Sequence, residues 1–319
     1  MRAIVGLVLA AAMAWPQARA EDFPSKPITI VVGLAPGGIT DITARIYADA
    51  LSRGMGQRVV VENRQGAGGA VGAAAVQNAA PDGYTVLIFS GSQHVAVPAM
   101  AAGAPYEPLK GFAPVTLLFN LATLISVPTD LPVKSLAELW EFGKKKPGGL
   151  SFGSPGVGTP SHMLAAVLGR ATNTPMQFVH YRGGGPMMTD LITGRVDFAL
   201  TSYTAAKTQF ASNKLRALAI DSDKRWEGML EVPTLTELGY KEKVASWFAV
   251  AAPAGTPPAI VKRLNEEFIK ASRDPELVRR LRENGTPIAT STPDEMTKLL
   301  ADEWDNTVKL VQLLDLKQK

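Results

Sequence analysis

The chain has 319 residues, with 33 Lys and Arg against 29 Asp and Glu, a net charge of +4, and no cysteine. The near balance of charges argues against a nucleic-acid partner, and the lack of cysteine excludes a disulfide framework and a lipid-anchored cysteine. About 300 mature residues exceed the usual size of one hydrophobic core, so we expect two domains.

Residues 1–20 have the composition of a secretory signal peptide. Arg2 precedes an apolar run that ends at Trp15, and Ala18 and Ala20 are the small residues expected before a cleavage point. The run is shorter than the roughly 20 apolar residues that a membrane-spanning helix needs. Cleavage removes two arginines and lowers the net charge to +2. We therefore expect an exported, unanchored monomer in a Gram-negative periplasm.

The first predicted unit is a strand, a glycine turn and a helix. The β-branched run at residues 28–32 predicts a buried strand, and apolar residues at helical spacing from Ile39 predict a helix. Gly37 and Gly38 lie in the turn, where glycine permits positive φ and close approach to the first helical amides, which suits an anion. Asp41 is expected to accept N–H bonds and brace this turn, because a carboxylate ligand would repel it.

Strands at 57–63 and 84–90 and a helix of small residues at 68–78 complete a βαβαβ pattern. His94 follows the third strand and could reach a cleft at its carboxyl end. The glycines of GAGGAVG, residues 66–72, lack the spacing of a dinucleotide fingerprint and fit a closely packed helix start. No nucleotide is expected.

A second set of strands and helices repeats the first turn. Thr159, Ser161 and the amides around Gly158 are neutral donors that suit a carboxylate, although an ordinary glycine-rich connection is the alternative. Two α/β domains with parallel sheets are therefore predicted. The strands of the second set are expected at 150–154, 176–181, 195–200 and 214–220, with helices at about 160–170 and after Gly185.

Two apolar stretches, 114–127 and 244–253, are long enough to pass between the domains and are interpreted as a two-stranded hinge. The C-terminal region is predicted to be helical, with a capping box at Thr292 and Glu295, and to pack back on the first domain. A ligand would bind between the domains. Domain 1 would comprise residues 21–122 and 246–319, and domain 2 residues 123–245.

The sequence contains no strong motif for a catalytic site. The three histidines are scattered, so no metal site is predicted, and no cofactor is expected. Ser161 and His162 are adjacent, but neighbouring side chains on a helix diverge and no Gly-x-Ser-x-Gly elbow occurs. An exported α/β hydrolase with a Ser/His site is the alternative to a binding protein. Tyr203 and Trp247 are equally compatible with core and cleft.

Seven segments in the same order resemble the Bug family, the tripartite tricarboxylate transporter (TctC-type) substrate-binding receptors of proteobacteria. They are PSKPITIVVGLAPGGITDITAR, VVVENRQGAGG, PDGYTVLI, GSPGVGTPSHM, YRGGGPMMTDLITGRVD, KLRALAI and VPTLTELGY. The resemblance implies a two-domain periplasmic binding protein with a Venus-flytrap fold. Such a receptor delivers a small carboxylate to membrane permease subunits and performs no covalent chemistry.

The resemblance also implies that two opposed loops, here residues 35–40 and 154–161, grip one carboxylate. The chain departs from the family before Pro36, where an aromatic residue is common, and the segment 90–94, which varies in the family, is expected to help set ligand identity. The ligand class stays open between a di- or tricarboxylate, an amino acid and an aromatic acid, as does a role in signalling. The predicted ligand-binding residues are Ala35, Pro36, Gly37, Gly38, Thr40, Ser90, His94, Ser154, Gly158, Thr159, Ser161, Tyr203 and Trp247.

Overall fold

A computed structural model describes residues 23–100, 104–121, 123–156, 159–181, 183–222, 224–241, 247–283 and 286–314. Within these ranges the strands form two five-stranded sheets, each covered by helices. The predicted signal peptide lies outside the described residues. Within the same ranges, no helix has the length and the apolar character that crossing a bilayer requires.

The strands of the first sheet are β1 (Ile28–Val32), β2 (Val59–Asn63), β3 (Thr85–Ser90), β4 (Phe112–Asn120) and β10 (Trp247–Pro253). Their order in the sheet is β2-β1-β3-β10-β4. Strand β1 is parallel to β2 and β3, as βαβ connections require, whereas β10 is antiparallel to β3 and β4.

The strands of the second sheet are β5 (Thr123–Pro128), β6 (Leu150–Ser154), β7 (Met176–His180), β8 (Phe198–Ser202) and β9 (Leu215–Asp221). Their order corresponds to that of the first sheet and is β7-β6-β8-β5-β9. Strand β6 is parallel to β7 and β8, and β5 is antiparallel to β8 and β9.

The expectation of parallel sheets is wrong for one strand of each sheet, β10 or β5, which is the strand at which the chain enters from the other sheet. The apolar stretch 114–127 is divided between β4 and β5, so the chain leaves one sheet at residue 120 and enters the other at residue 123. A strand that enters a sheet at the carboxyl edge of its parallel strands must run back against them. The same reasoning applies to β10, which enters the first sheet at Trp247.

Several helices begin with a side-chain cap. Ser135, Thr159 and Ser202 each accept a hydrogen bond from a backbone N–H of the first turn, and the predicted capping box of Thr292 and Glu295 is confirmed. The helices are α1 (Ile39–Met55), α2 (Ala70–Gln77), α3 (Val97–Met100), α4 (Leu136–Lys145), α5 (Pro160–Ala171), α6 (Gly184–Ile192), α7 (Tyr203–Ala211), α8 (Pro258–Ala271), α9 (Pro275–Glu283) and α10 (Pro293–Leu313).

Alternating side chains of the strands build a core on both faces of each sheet. In β10, Phe248 and Val250 join the cluster shared with α1, α8 and α9, whereas Trp247 and Ala249 join the cluster shared with α2 and α10. The C-terminal helices thus pack on the first sheet. The far end of α10, through Val311, joins the cluster of the second sheet. The exact domain bounds stay a prediction.

Candidate ligand-binding site

The turn between β1 and α1, residues 35–40, is called loop 1. Gly37 has φ +85°, a backbone conformation that favours glycine. Gly38 is the N-cap residue of α1, so no capping side chain covers the first N–H groups of this helix. A Cβ atom on Gly37 would meet no other atom within 4 Å, and one on Gly38 would meet only the Ala35 carbonyl oxygen at 3.8 Å. The backbone of loop 1 is therefore open to an approaching ligand.

Asp41 fixes loop 1 from the first turn of α1. Its Oδ2 accepts hydrogen bonds from the Gly37 N–H at 2.9 Å and from Arg45 Nε at 3.1 Å. Its Oδ1 accepts from Asn63 Nδ2 at 2.9 Å and lies 3.0 Å from Arg45 Nη2. Burial raises the pKa of Asp41, but the hydrogen bonds from Arg45, Gly37 and Asn63 outweigh it, so the pKa lies below its ordinary value. These hydrogen bonds are the ones by which Asp41 would hold loop 1 in shape. The effect of Asp41 on ligand binding stays a prediction.

The base of loop 1 packs directly against the start of α2 through Gly33, Gly69 and Gly72, and this contact is called the wedge. Reasoning from the sequence missed it. A Cβ on Gly33 would lie 2.7 Å from the Gly69 carbonyl oxygen, and one on Gly72 would lie 2.8 Å from the Gly33 Cα. The backbones at these positions therefore touch without intervening side chains. The glycines of GAGGAVG predict close packing at this helix start, but their spacing does not indicate that Gly33 is the partner.

Thr40, the last residue of loop 1, and Ser90, at the end of the adjacent strand β3, do not present free hydroxyl groups to the surface. Thr40 is buried, and its Oγ1 has no hydrogen-bond partner among the described residues. Ser90 Oγ donates to Gln93 Oε1 at 3.1 Å and accepts from the Gln93 N–H at 3.3 Å. Gln93, which sequence reasoning did not single out, also reaches the Gly68 carbonyl oxygen at 3.5 Å. Gln93 thus connects the end of β3 to the wedge.

The turn between β6 and α5, residues 154–161, is called loop 2. Ser154 is buried and donates from Oγ to the Gly156 carbonyl oxygen at 2.7 Å. Thr159 Oγ1 donates to the same carbonyl at 2.9 Å and accepts from the His162 N–H at 3.3 Å, as the N-cap of α5. Ser161 is half-buried, and its hydroxyl makes no hydrogen bond with any residue that the structure describes. Gly158 lies outside the described residues.

Among the described residues of loop 2, the Ser161 hydroxyl is thus the side-chain donor without a protein partner. The hydroxyls of Ser154 and Thr159 make hydrogen bonds that hold the loop in shape. His162, next to Ser161, turns its ring toward β7, with centroid distances of 4.9 Å to Phe178 and 4.8 Å to His180. Burial, together with the neighbouring His180, lowers the pKa of His162 to about 4.

His94 belongs to the core of the first sheet and not, as its position after β3 suggested, to an open cleft. Its side chain is 1% exposed, and its ring packs on Phe89, Tyr106 and Phe112. Nε2 lies 2.8 Å from the Pro108 carbonyl oxygen, so this nitrogen must carry the proton and donate. Burial lowers the pKa of His94 to about 4, against the opposite effect of this hydrogen bond.

A cavity of about 1180 Å³ lies beside the segments that connect the two sheets and is called the hinge cavity. Neither loop 1 nor loop 2 contributes to its described lining, and Trp247 is the one predicted ligand-binding residue that does. Tyr203 lies close by, with its ring 4.0 Å from that of Trp226, which also lines the cavity. The hinge cavity is lined by Leu117, Asn120, Leu121, Asp221, Ser222, Lys224, Arg225, Trp226, Glu227, Gly228, Trp247, Val278, Arg282, Thr286, Pro287, Ile288, Ala289, Leu299 and Glu303.

The described residues contain no group of three or more His, Cys, Asp or Glu side chains arranged to hold a metal ion. The candidate site therefore consists of backbone amides, one free hydroxyl and a neighbouring cavity. Such groups bind a ligand by hydrogen bonds and dipoles.

Comparison with known proteins decides the family. The family model described as "Tripartite tricarboxylate transporter family receptor", TctC, matches residues 43–316. The chain belongs to the TctC receptor family. The resemblance seen in the sequence is thereby confirmed.

Relatives of this TctC receptor cover nearly its whole length. It is 35% identical to protein BugT of Bordetella pertussis over 96% of this chain and 96% of that protein. A solved Rhodopseudomonas palustris protein with adipate is 32% identical, with a TM-score of 0.77 over 91% of this chain and 98% of that one. MatC of the same organism, with bound malate, is 30% identical, with a TM-score of 0.73 over 91% and 100% of the two chains.

These likenesses confirm the mixed α/β fold of a periplasmic binding protein with two sheets. They also identify the TctC receptor as a solute-binding protein. None of these relatives supports the hydrolase alternative.

Proposed function

We propose that this receptor captures a small carboxylate between loop 1 and loop 2, in the periplasm, and delivers it to the membrane permease of a tripartite transporter. Residues 1–20 would be removed as a signal peptide, and the mature protein would act as a monomer. The receptor would perform no covalent chemistry.

One observation carries the proposal: the two loops occupy equivalent positions in the two sheets. Loop 1 follows β1 and loop 2 follows β6, and each of these strands is second from one edge of its sheet. Each loop opens directly into a helix, α1 or α5. The first N–H groups of a helix have no intrahelical partner and carry a partial positive charge, so each loop favours a carboxylate. In α5, Pro160 has no N–H and Thr159 already accepts from the His162 N–H, so the Ser161 N–H is the group that this helix start offers.

The solved relatives support the same ligand chemistry. Their bound molecules, adipate and malate, are both carboxylates. Asp41 does not oppose this, because its charge is compensated by Arg45 and by the Gly37 N–H. A ligand carboxylate therefore meets amides and the Ser161 hydroxyl, and not an exposed acid.

Two substitutions test the site with little risk to folding. Gly38→Val should weaken carboxylate binding because the new side chain occupies the open space above the helix amides. Ser161→Ala removes a donor to a charged group and should weaken binding about 10- to 150-fold, equivalent to about 1.5–3 kcal/mol. Gly54→Val, near the far end of the same helix, is a control, since a Cβ there meets only the Glu267 carboxylate at 3.5 Å.

Isothermal titration calorimetry with mono- and dicarboxylic acids measures these affinities, and native mass spectrometry of protein purified without refolding identifies any ligand that copurifies. Normal binding by both Gly38→Val and Ser161→Ala would place the site elsewhere. Turnover of simple esters by the wild-type protein would contradict the non-enzymatic role.

A further inference from the structure

Asn63, the last residue of β2, lies beside the base of loop 1. Strand β2 is the edge neighbour of β1, and the two strands stay paired up to their ends, where Val32 pairs with Asn63. After Val32 the chain passes through Gly33 and Leu34 and enters loop 1. The half-buried Asn63 side chain is therefore in a position to control how loop 1 begins.

Both ends of the Asn63 side-chain amide make hydrogen bonds. Nδ2 donates to the Leu34 carbonyl oxygen at 3.1 Å and to Asp41 Oδ1 at 2.9 Å. Oδ1 accepts from Arg45 Nη2 at 3.1 Å. The partners thus fix which end of the amide is nitrogen, because two of them only accept and the third only donates. An aspartate in this place would turn an oxygen toward two groups that are themselves acceptors.

The bond to the Leu34 carbonyl also sets the direction of the next N–H group. The peptide between Leu34 and Ala35 is trans, and in a trans peptide the C=O and the N–H point in opposite directions. Because the Leu34 carbonyl faces Asn63 on β2, the Ala35 N–H points away from β2, toward the side on which β3 and β10 lie. Pro36 restricts Ala35 to an extended backbone, so this direction is held from both sides.

The Ala35 N–H is available to a ligand. Ala35 is exposed, and its N–H makes no hydrogen bond with any residue that the structure describes. The Gly37 N–H, in contrast, already donates to Asp41 Oδ2 at 2.9 Å, and Pro36 has no N–H. Among residues 35–38, the donors without a described protein partner are therefore the N–H groups of Ala35 and Gly38.

We infer that Asn63 is a positioning residue of the carboxylate site: by holding the Leu34 carbonyl it aims the Ala35 N–H at the carboxylate of the ligand. The inference rests on the proposed function, because it takes loop 1 as one half of the carboxylate site. It divides the work of the hydrogen bonds around loop 1. Asp41 holds the Gly37 end of the loop, and Asn63 holds the end at which the loop begins.

The first test is isothermal titration calorimetry of Asn63→Leu with adipate and malate. Leucine branches where the asparagine amide does but has no hydrogen-bonding group, so the Leu34 carbonyl loses its partner. Affinity for both acids should fall about 3- to 30-fold, because a hydrogen bond to a charged group is misaligned. Asn63→Ser, which leaves room for water beside Asp41, should weaken binding in the same direction. Asn63→Gln keeps donor and acceptor on a longer side chain and should recover part of the loss.

Ser52→Ala is the matched control, because Ser52 connects the same two elements, α1 and β2, at the opposite edge of the sheet. Its Oγ accepts from the Val59 N–H at 2.9 Å and donates to the Ala48 carbonyl oxygen at 2.7 Å. Ser52→Ala should lower the unfolding free energy, measured in urea, and leave both affinities unchanged. A residue that served stability alone would behave as Ser52 does.

An amide proton–nitrogen correlation spectrum separates orientation from stability. In the wild type, saturating adipate should shift the peaks of Ala35 and Gly38, because both N–H groups donate to the carboxylate. In Asn63→Leu the shift at Ala35 should be lost and the shift at Gly38 should persist. Asp41→Ala removes the other acceptor of the Asn63 amide and keeps the bond to Leu34, so the Ala35 shift should persist there.

The outcomes separate the two proposals. Unchanged affinity of Asn63→Leu and Asn63→Ser, an equal loss of affinity in Ser52→Ala, or a wild-type Ala35 peak that adipate does not shift would overturn the inference alone, provided that Gly38→Val still weakens binding. Failure of adipate, malate and the other mono- and dicarboxylic acids to bind the wild type would overturn the proposed function and the inference with it. Insensitivity of all binding to Gly38→Val and Ser161→Ala would do the same.

Discussion

At the scale of single residues, Asp41 shows how an acid can lie beside an anion site without opposing it. Its side chain is 3% exposed, and both carboxylate oxygens already accept hydrogen bonds from Gly37, Arg45 and Asn63. Its lowered pKa means that this stabilisation is complete above its ordinary value of 3.8 and is lost as the pH falls through the lower value in the folded protein. Asp41 is therefore ionised and committed to loop 1 at neutral pH.

We expect Asp41→Asn, which keeps an acceptor for the Gly37 N–H, to retain most carboxylate affinity. Asp41→Ala should bind more weakly and lose about 1–3 kcal/mol of unfolding free energy, because the hydrogen bonds from Gly37, Arg45 and Asn63 to a charged group are lost. Calorimetry and thermal unfolding of both variants measure these effects. The competing role is a contact with a ligand ammonium group. If Asp41→Asn abolishes binding of an amino acid but not of its deaminated analogue, the bracing account is wrong.

His94 gives the fold a sensitivity to acid. In the unfolded chain it gains a proton near its ordinary pKa of 6.5, whereas burial lowers the pKa of the folded state to about 4. The unfolded state therefore binds more protons between these values. Its contribution to stability is full above pH 6.5 and falls as the pH drops toward 4, by up to about 3 kcal/mol.

His94→Gln removes the ionisable ring and keeps an N–H donor for the Pro108 carbonyl. We expect its unfolding free energy, measured in urea between about pH 7 and pH 4, to fall less steeply than that of the wild type. His162, whose pKa also lies at about 4, should leave a residual slope in the variant. An unchanged slope would mean that His94 does not titrate differently in the two states.

At the scale of elements, the wedge between loop 1 and α2 depends on two backbones touching. Gly66, Ala67, Gly68 and Gly69 all have positive φ, so the chain enters α2 through a conformation that side chains rarely adopt. This path brings Gly69 against Gly33 at the end of β1. The position of loop 1 is thus set by a neighbouring helix as well as by its own turn.

Gly33→Ala should therefore lower the unfolding free energy by roughly 1–3 kcal/mol, because its Cβ would overlap the Gly69 backbone. Gly37→Ala has open space and should lose only about 1 kcal/mol, from the positive φ. Chemical denaturation compares the two directly. Equal losses would show that the wedge can relax and does not position loop 1.

At the scale of the whole molecule, the chain crosses between the sheets twice, from β4 to β5 and from β9 to β10. Other contacts join the two halves, because Val311 and Met100 lie in the cluster of the second sheet and Arg282 lies near Glu227. A ligand that touches both loops stabilises whichever arrangement brings them together.

We predict that a saturating carboxylate ligand closes the two halves of the molecule about the segments that connect the two sheets. Closure should decrease the radius of gyration. Small-angle X-ray scattering of the free and saturated protein measures the change. Gly38→Val at the same ligand concentration is the control and should show a smaller change. A radius of gyration that is the same with and without ligand would contradict closure.

Local sequence determined the parts of this protein whose structure depends on near neighbours. The β-branched run at 28–32, the helix from Ile39 and the capping box at Thr292 follow from periodicity and turn chemistry, and the structure has them within a few residues. The seven segments that resemble the family, taken in their order along the chain, likewise sufficed to identify it.

Only the tertiary structure decided which surfaces those elements share. The antiparallel direction of β5 and β10, the burial of His94 among rings from Phe89 to Phe112, and the bonds from Arg45 and Asn63 to Asp41 depend on where the chain returns. The hinge cavity, too, is assembled from segments up to 186 residues apart in the chain, from Leu117 to Glu303. Sheet direction, burial and cavity shape come from contacts between distant residues, and periodicity in one segment carries no information about its distant partner.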